Sequence, residues 1–325
     1  MDRVDVPGFD QVMRLRCGGA TAYLALHRVL HGRAFGGIRI RTYPREEDAL
    51  ADALALAEAM SRKCALAEIP GGGAKTVLCE PAPARREEAL RELAAVIDGL
   101  GGRYLCGGDY GFTVDDQRIV AAGTRHIACG DGDDATAAGV QRAMSAIQDV
   151  RVVAIQGLGR VGARLAARLV DAGLTVIAAD PRDDAARDLP IERVSIDAIA
   201  SVPCDVFAPC AHGGTIDAAT IDRLRARAIC GAANNPLATE ADARRLVERG
   251  IDLVPDFLAN AGALIHGASR AVGEADRIEA RMERIPALTR EILDRARAEA
   301  RSPQAIARSI ADARIAARVA EEARP

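Results

Sequence analysis

Three charged residues sit in surroundings that suit chemistry. Lys75 follows Pro70-Gly71-Gly72-Gly73-Ala74, Asp109 lies within Gly107-Gly108-Asp109-Tyr110-Gly111, and Lys63 closes a helical stretch. The glycine run before Lys75 has the look of a phosphate loop, but Ala74 stands where that motif needs glycine and Ile69 where it needs another. Phosphoryl transfer, and an ATP-using enzyme with it, is therefore disfavoured. A lysine crowded by glycines has another use: desolvation and a second cation nearby, for which Lys63 is suited, lower its pKa towards neutrality. Each residue also has a plainer reading. Lys63 complements a helix dipole, and an aspartate between glycines is more often a turn residue.

A second constellation is made of glycines. An apolar run over 151–156 leads into Gly157-Leu158-Gly159-Arg160-Val161-Gly162, then a helical stretch, then a second apolar run ending at Asp180. Three spaced glycines alone are a weak signal; the strand before, the helix after and an acid about twenty residues on supply the context of a dinucleotide-binding unit. Gly157, Gly159 and Gly162 allow a tight turn, close approach of backbone N–H groups to a pyrophosphate, and close helix packing. Asp180 is placed to accept from the adenosine ribose hydroxyls and to repel a 2′-phosphate, which predicts NAD over NADP; Arg182, two residues on, softens that preference. The plain alternative is a tight turn in a sheet protein and nothing more.

The elements that must hold these residues follow from periodicity. Residues 11–30 alternate in short apolar stretches about Gly18-Gly19, which predicts two strands and a turn, and a third strand is expected over 38–43. Pro44 followed by Glu46, Glu47 and Asp48 marks a helix start, and Leu50, Leu54, Ala57 and Met60 carry that helix to about Lys63. Residues 71–78 read as a glycine-rich turn and strand, and 87–100 as an amphipathic helix closed by Gly101-Gly102. Beyond about residue 135, apolar strands (150–156, 175–179, 205–208, 228–231) alternate with helices (160–172, 241–249), the pattern of a parallel, doubly wound sheet. Two Ala/Arg/Glu-rich helices are expected over 279–293 and 305–320, packing back across both halves.

The composition narrows the partners. With 325 residues, 49% of them hydrophobic, the chain can bury two ordinary cores, and a formal net charge of -3 gives no reason to expect nucleic acid or an anionic membrane surface. Aromatics at 3% and the absence of tryptophan leave little for stacking bases. Eight cysteines (17, 64, 79, 106, 129, 204, 210, 230) form no CxxC pair or Cys/His cluster, so reduced core thiols and no metal are expected. Residues 1–10 are charged, and no eighteen apolar residues follow one another; secretion and membrane spanning are disfavoured, which leaves the cytoplasm.

Taken jointly, the residues resemble the glutamate/leucine/phenylalanine/valine dehydrogenase superfamily, most closely its leucine and phenylalanine dehydrogenase branch. The stretches that carry the resemblance are Gly36-Gly37-Ile38-Arg39, Met60-Ser61-Arg62-Lys63-Cys64-Ala65, Gly72-Gly73-Ala74-Lys75, Asp109-Tyr110-Gly111 with Val114-Asp115-Asp116, Thr136-Ala137-Ala138-Gly139-Val140, 157–162, Phe207-Ala208-Pro209-Cys210-Ala211, Ala233-Asn234-Asn235-Pro236-Leu237 and Asn260-Ala261-Gly262. They occur in family order over nearly the whole chain. The resemblance implies that Lys63 binds the substrate carboxylate and that Asn260 helps to anchor the same substrate. It implies that Lys75 is the catalytic lysine that activates water against the imine carbon, and Asp109 the acid/base for the amino nitrogen. Thr136 and Asn234 match positions lining the nicotinamide site, Cys210 the end of a strand beside the cofactor, and Gly36 and Gly37 the loop that floors the substrate site. Phe35 and Gly107 resemble positions that shape the side-chain pocket. Ala263, Gly108 and the short acidic loop 129–135 depart from the branch pattern. No lysine or serine set for a glutamate side chain is recognisable, so an apolar substrate is expected, with leucine, valine and phenylalanine open.

The expectation is an α/β protein of two domains with a cleft between them. Residues 1–134, completed by the C-terminal helix 300–325, form the substrate-binding and dimerisation domain, and 135–299 a Rossmann NAD-binding domain. The expected reaction is NAD-dependent oxidative deamination of an apolar L-amino acid to its 2-oxo acid and ammonium, with reductive amination as the reverse, in a cytoplasmic homo-oligomer whose ligands are small molecules. Two alternatives stand beside it: the same fold acting on an unusual amino acid of a specialised pathway, and a catalytically silent NAD-binding regulatory paralogue. Intact Lys63, Lys75 and Asp109 argue against the second.

Overall fold

The alternating residues near the N-terminus form a hairpin. After a short β1 (Asp2–Val4), β2 (Gln11–Cys17) and β3 (Ala20–Leu26) pair antiparallel across a turn in which Gly18 and Gly19 both take positive φ, 55° and 80°. The computed structural model describes residues 1–128 and 132–324. It divides into two units: Met1–Gly130 with Arg270–Gly273 and Ala311–Pro325, and Asp131–Ser269 with Glu274–Ile310.

The first unit continues with β4 (Ala34–Phe35), β5 (Ile38–Arg41), β6 (Gly72–Cys79) and β7 (Tyr104–Leu105), which complete a mixed seven-stranded sheet of order β1-β2-β3-β6-β4-β7 with β5 also on β6. Its helices are α1 (Glu46–Leu66), α2 (Arg86–Gly99) and α3 (Val114–Gly123). Successive side chains of a strand go to opposite faces, and the core splits accordingly. Ala49, Ala53 and Ala57 of α1 pack with Val12, Tyr23, Ala25 and Val77 on one face. Leu24, Leu26, Ile38 and Leu78 meet Leu90, Leu93, Ile97 and Val120 on the other. Lys75 pairs with Ala25 across β3 and β6, so it lies on the α1 face.

Several predicted boundaries move. The strand expected to reach residue 30 stops at Leu26, the one expected to reach Tyr43 stops at Arg41, and α1 starts at Glu46 and runs three residues past Lys63. β1, β4 and β7 have two or three residues each and are defined by their partners rather than by pattern.

In the second unit, β8 (Val152–Gln156), β9 (Thr175–Ala179), β10 (Glu192–Arg193), β11 (Val206–Pro209), β12 (Ala228–Ile229) and β13 (Asp252–Leu253) form one parallel sheet of order β10-β9-β8-β11-β12-β13. This is the doubly wound order in which winding reverses between the first strand and the fourth, and ligands bind beyond the strand C-termini at that reversal. The helices are α4 (Asp133–Met144), α5 (Arg160–Asp171), α6 (Ala218–Arg223), α7 (Glu240–Glu248), α8 (Asp256–Ala259), α9 (Gly262–Ala271), α10 (Ile278–Glu299) and α11 (Pro303–Glu322). α11 belongs to the second unit up to Ile310 and to the first from Ala311.

Seven cysteines fall among the described residues, and no two of these are joined by a disulfide: Cys17, Cys64, Cys106 and Cys230 are buried, while Cys79, Cys204 and Cys210 are only half-buried. The expectation of core thiols thus holds for four of them, and Cys129 lies outside the described residues. Among the described residues no helix is long and apolar enough to cross a membrane.

Candidate functional site

Lys75 sits in the middle of β6 with only 4% of its surface exposed, a position where an ammonium needs company. Its Nζ donates to Asp109 Oδ2 at 2.7 Å, and Arg39 Nε donates to the same oxygen at 2.8 Å. Arg39 Nη1 in turn reaches both oxygens of Asp52 on α1, at 3.2 and 3.0 Å, and the Tyr43 hydroxyl donates to Asp52 as well. Lys75, Asp109, Arg39 and Asp52 therefore form an alternating chain of charge with no net sum, the condition under which buried ions are tolerated. Burial lowers the Lys75 pKa; Asp109 opposes this, Arg39 adds to it, and the ammonium ends below its ordinary value. Burial raises the Asp109 carboxyl, but the charges and hydrogen bonds of Lys75 and Arg39 outweigh it and bring it down to about 2. Asp109 is thus a firm anion, and Lys75 is the member of the pair moved towards the working range.

Asp109 reaches Lys75 because its loop is stitched to β5. Asp109 N donates to Ile38 O at 3.1 Å, Ile40 N to Tyr110 O at 2.9 Å, and Phe112 N closes a turn on Asp109 O at 3.1 Å. Gly111 has φ +75°, and a Cβ there would lie 2.0 Å from Ile40 O, so both backbone and space demand glycine. Just beyond, Thr113 caps α3 in a reciprocal box with Asp116, whose carboxylate takes the Arg86 fork at 2.9 and 2.7 Å. Arg86 also donates to Gly111 O at 2.7 Å, which ties the loop to α2.

The expected floor of the site is Gly36-Gly37. A Cβ on Gly37 would stand 3.3 Å from both Lys75 Nζ and Asp109 Cβ, so a side chain here would lie on the pair, and one on Gly36 would strike Ala74 O at 2.1 Å. The run Gly71-Gly72-Gly73 is not a phosphate cradle. Gly72 and Gly73 are in β6, and Cβ atoms added to Gly71, Gly72 and Gly73 would meet Phe35 at 2.4 Å, Arg28 O at 1.9 Å and Ser61 N at 2.1 Å respectively. These glycines let β4, α1 and the Arg28 backbone close on the strand that carries Lys75. Phe35 is itself spent in that packing, at 3% exposure. Gly107 keeps open space, with Gly36 O at 4.0 Å as its nearest neighbour.

Lys63 is half-buried in the last turn of α1. It follows Asp52 by eleven residues, which at 3.6 residues per turn puts it within about 20° of the same stripe, about 16 Å along the axis. The structure joins Lys75 and Asp109 in contact and sets Lys63 further along the α1 stripe that carries Asp52. Arg39 and Asp52 complete the charge chain, and nothing in their type or spacing along the sequence marks them as its members.

The second unit brings the glycine loop to the winding reversal. Gly157 follows β8 with φ +98°, and a Cβ there would lie 2.9 Å from the Cβ of Ala211. A Cβ on Gly162 would be 2.0 Å from Gly157 O and 3.2 Å from Cys210 Cβ, so Cys210, just past β11, packs directly on the loop. Burial pushes the Cys210 thiol up to about 11, which keeps it neutral. Gly159 caps α5 without a side-chain cap, and a Cβ there would meet nothing within 4 Å. Free N–H groups opening onto space fit a pyrophosphate.

Asp180 follows β9, and its oxygens are already engaged. Oδ2 accepts from Leu158 N at 2.7 Å, and Oδ1 from Arg182 N and Nε, both at 3.0 Å. Arg182 also donates to Leu158 O at 3.0 Å. Burial raises the Asp180 carboxyl, and the Arg182 and Leu158 hydrogen bonds outweigh that and hold it below its usual range. The acid therefore organises the glycine loop, and its charge is paired before any phosphate arrives.

Asn260, Asn234 and Thr136 converge through close backbone contact. A Cβ on Gly262 would lie 1.8 Å from Ala135 O and 3.0 Å from Thr136 N, so the turn after Asn260 presses on the first turn of α4. Asn260, 4% exposed, donates through Nδ2 to Asn234 Oδ1 at 2.8 Å and to Ala232 O at 3.2 Å. Its own Oδ1 is buried with no hydrogen-bond partner among the described residues. Thr136 Oγ1 donates to Gly132 O at 2.9 Å. Ala263 packs where a Cβ on Gly132 would come within 2.7 Å, and residues 129–131 of the short acidic loop lie outside the described residues.

A doubly wound sheet with an open glycine loop at its winding reversal, in one chain with a buried lysine–carboxylate pair, points to a dinucleotide-dependent oxidoreductase. Residues 182–323 match Glutamate/Leucine/Phenylalanine/Valine dehydrogenase, and residues 11–126 match the Glu/Leu/Phe/Val dehydrogenase dimerisation domain. The chain is 36% identical to a valine dehydrogenase of Streptomyces albus, over 96% of this chain and 93% of that protein. It is 37% identical to a leucine dehydrogenase of Thermoactinomyces intermedius, over 78% and 76% respectively. The crystal structure of L-tryptophan dehydrogenase from Nostoc punctiforme superposes with a TM-score of 0.85 at 30% identity, covering 96% of each chain. The chain belongs to the glutamate/leucine/phenylalanine/valine dehydrogenase family and is an NAD-dependent amino-acid dehydrogenase.

Proposed function

We propose that the protein deaminates an L-amino acid with a neutral, apolar side chain to its 2-oxo acid and ammonium, and runs the reductive amination in reverse, with Lys75 and Asp109 as the reactive pair. The observation that carries this reading is the 2.7 Å contact between a buried ammonium of lowered pKa and an anionic carboxylate, with Gly37 leaving room beside both. Asp109 Oδ2 is taken by two cations while Oδ1 accepts no hydrogen bond among the described residues, so Oδ1 is the atom offered to the substrate ammonium. Lys75, once neutral, takes a proton from the attacking water, and its protonated form then stabilises negative charge developing on the carbinolamine oxygen. Lys63 receives the substrate carboxylate over the floor made by Gly36 and Gly37. Asn260 anchors the same substrate with the buried carbonyl oxygen it has left to offer.

Gly157, Gly159 and Gly162 hold the pyrophosphate of NAD, Asp180 the adenosine ribose, and Thr136, Cys210 and Asn234 surround the nicotinamide, which supplies the hydride acceptor when bound. The first unit is the substrate and assembly domain of a cytoplasmic homo-oligomer, and the second the NAD domain. Relatives named for valine and leucine, and a solved neighbour named for tryptophan, support a neutral side chain.

A spectrophotometric panel of 2-oxo acids with ammonium and NADH tests the reading. The oxo acids of valine, leucine, phenylalanine and tryptophan should be reduced, and 2-oxoglutarate should not. Tight NADH binding without turnover of any of them would defeat the catalytic reading in favour of a silent regulator.

A further inference from the structure

Resting on the reading of Lys75 and Asp109 as the reactive pair, we propose that Arg39 is its positioning residue: it locks the Asp109 carboxylate by one oxygen and keeps a permanent positive charge against the pair, with Asp52 of α1 as its anchor.

The geometry separates Arg39 from an ordinary surface arginine. Arg39 and Arg41 point to the same face of β5, yet Arg41 is exposed, while the Arg39 side chain is 18% exposed and two of its three nitrogens are hydrogen-bonded to carboxylates. Nε is spent on Asp109 and Nη1 on Asp52, two carboxylates from different elements, 24% and 23% exposed. A planar guanidinium spans two such acceptors; a single ammonium does not. Both donors to Asp109 use Oδ2, so turning the carboxylate over would break two charged hydrogen bonds at once. Oδ1 is left in one direction only.

The two cations on Asp109 are not equivalent. Lys75 must lose its proton to act as a base, and in that phase its hold on the carboxylate becomes a neutral contact. Arg39 keeps its charge throughout, so Asp109 stays placed and ionised while Lys75 is neutral. The same charge makes an ammonium at Lys75 less welcome. Other charged groups from the packed elements are Asp52, Arg41 of β5, which lies over the Tyr43 ring, and, further along α1, Lys63; Tyr104 of β7 and Tyr43 are pushed up by burial and remain neutral.

The test compares pH profiles of kcat/KM for oxidative deamination at saturating NAD in the wild type, Arg39→Met, Arg39→Lys and the double variant Arg39→Met/Asp52→Asn. Activity rises with pH as Lys75 gives up its proton. Removing the arginine should move that limb to higher pH by about one unit, which is about tenfold in kcat/KM at a fixed pH on the limb. The double variant leaves no lone carboxylate behind and should move the limb in the same direction by less. Arg39→Lys should restore the position of the limb but not the full kcat, since an ammonium cannot bridge Asp109 and Asp52. NADH affinity, read by fluorescence, should be unchanged in all three, and acetic anhydride trace labelling of Lys75 should set in at correspondingly higher pH without the arginine. A limb and a labelling onset that stay in place in both Arg39→Met and the double variant overturn the proposal. Lys75→Ala and Asp109→Asn, run beside them, keep the two readings apart. Turnover retained in those variants defeats the reactive pair itself, whereas turnover lost there with an unmoved limb in the Arg39 variants defeats only the positioning role.

Discussion

Two glycine-rich segments of this chain, 71–73 and 157–162, share a composition and differ in what their glycines do. At 71–73 none takes a positive φ, and a Cβ on any of them would fall 1.9 to 2.4 Å from a neighbouring atom, two of these being backbone. There the missing side chain buys closeness, and the lysine that follows is nearly sealed. At 157–162 Gly157 needs φ +98°, Gly159 faces open space, and the next residue, Arg160, has a side chain 78% exposed. At Gly159 the missing side chain leaves room, whereas Gly162 is packed as tightly as 71–73, its Cβ position 2.0 Å from Gly157 O. Closeness dries a lysine until its proton is loosely held; room lets a chain of backbone N–H groups meet a phosphate.

The contrast is broken most severely at Lys75. Lys75→Ala should cut turnover by about three orders of magnitude, the middle of the range for a lost acid–base group, while NADH binds as before, since the glycine loop belongs to the other unit. Steady-state kinetics with NADH fluorescence titration decides; near-normal turnover would remove the lysine from the chemistry.

The two kinds of glycine should also answer differently to a methyl group. Gly73→Ala drives a Cβ towards Ser61 N at 2.1 Å, so it should lose about 1–3 kcal/mol of stability, as overpacked cores do. Gly159→Ala should melt with the wild type yet bind NAD about tenfold more weakly, which corresponds to about 1.4 kcal/mol. Thermal melts and NAD titrations of the two variants should give crossed results. Equal melting temperatures would show that 71–73 has slack.

Acid sharpens the same comparison. Asp109 has its carboxyl brought from an ordinary 3.8 to about 2 in the folded protein. A lowered carboxyl adds stability that is complete above its unfolded value and is lost as pH falls through its folded one. The amount is about 2 kcal/mol, lost between about pH 4 and pH 2. Denaturant unfolding over that window should therefore fall more steeply in the wild type than in Asp109→Asn. Parallel slopes would mean that the carboxylate is not held by its two cations.

What was legible in the sequence is what lies close along the chain. The parallel sheet and the glycine loop were readable because strand, turn, helix and acid follow one another within thirty residues. The hairpin at Gly18-Gly19 was readable for the same reason. Lys75 and Asp109 were individually ambiguous and gained weight only from the family pattern. Arg39 and Asp52 were not legible as partners. In Ile38-Arg39-Ile40-Arg41 the two arginines have identical periodicity, and only a carboxylate seventy residues on separates the half-buried one from the exposed one. Strands of two residues such as β4 and β7 have no periodicity to read; they exist because the neighbouring strands offer them hydrogen bonds.

The smallest effect is expected at the edge of the glycine loop, where charge rather than space is at issue. From position alone, Asp180 should repel a 2′-phosphate, yet its Oδ1 is met by both the backbone N–H and the Nε of Arg182, at 3.0 Å each. Arg182 is exposed, and its pairing is screened by solvent. Its loss should unmask the aspartate without unfolding the loop, because Leu158 N still donates to Oδ2. Arg182→Ala should therefore raise the preference for NAD over NADP by about threefold, within the range of an exposed ion pair. Asp180→Ala should weaken NAD binding itself, since it removes both the proposed ribose acceptor and the tie to Leu158. The ratio of kcat/KM for the two cofactors reads the first change and a binding titration the second. An NAD/NADP ratio unmoved in Arg182→Ala would mean that the dinucleotide does not feel this pair, and that selection between the cofactors lies elsewhere on the loop.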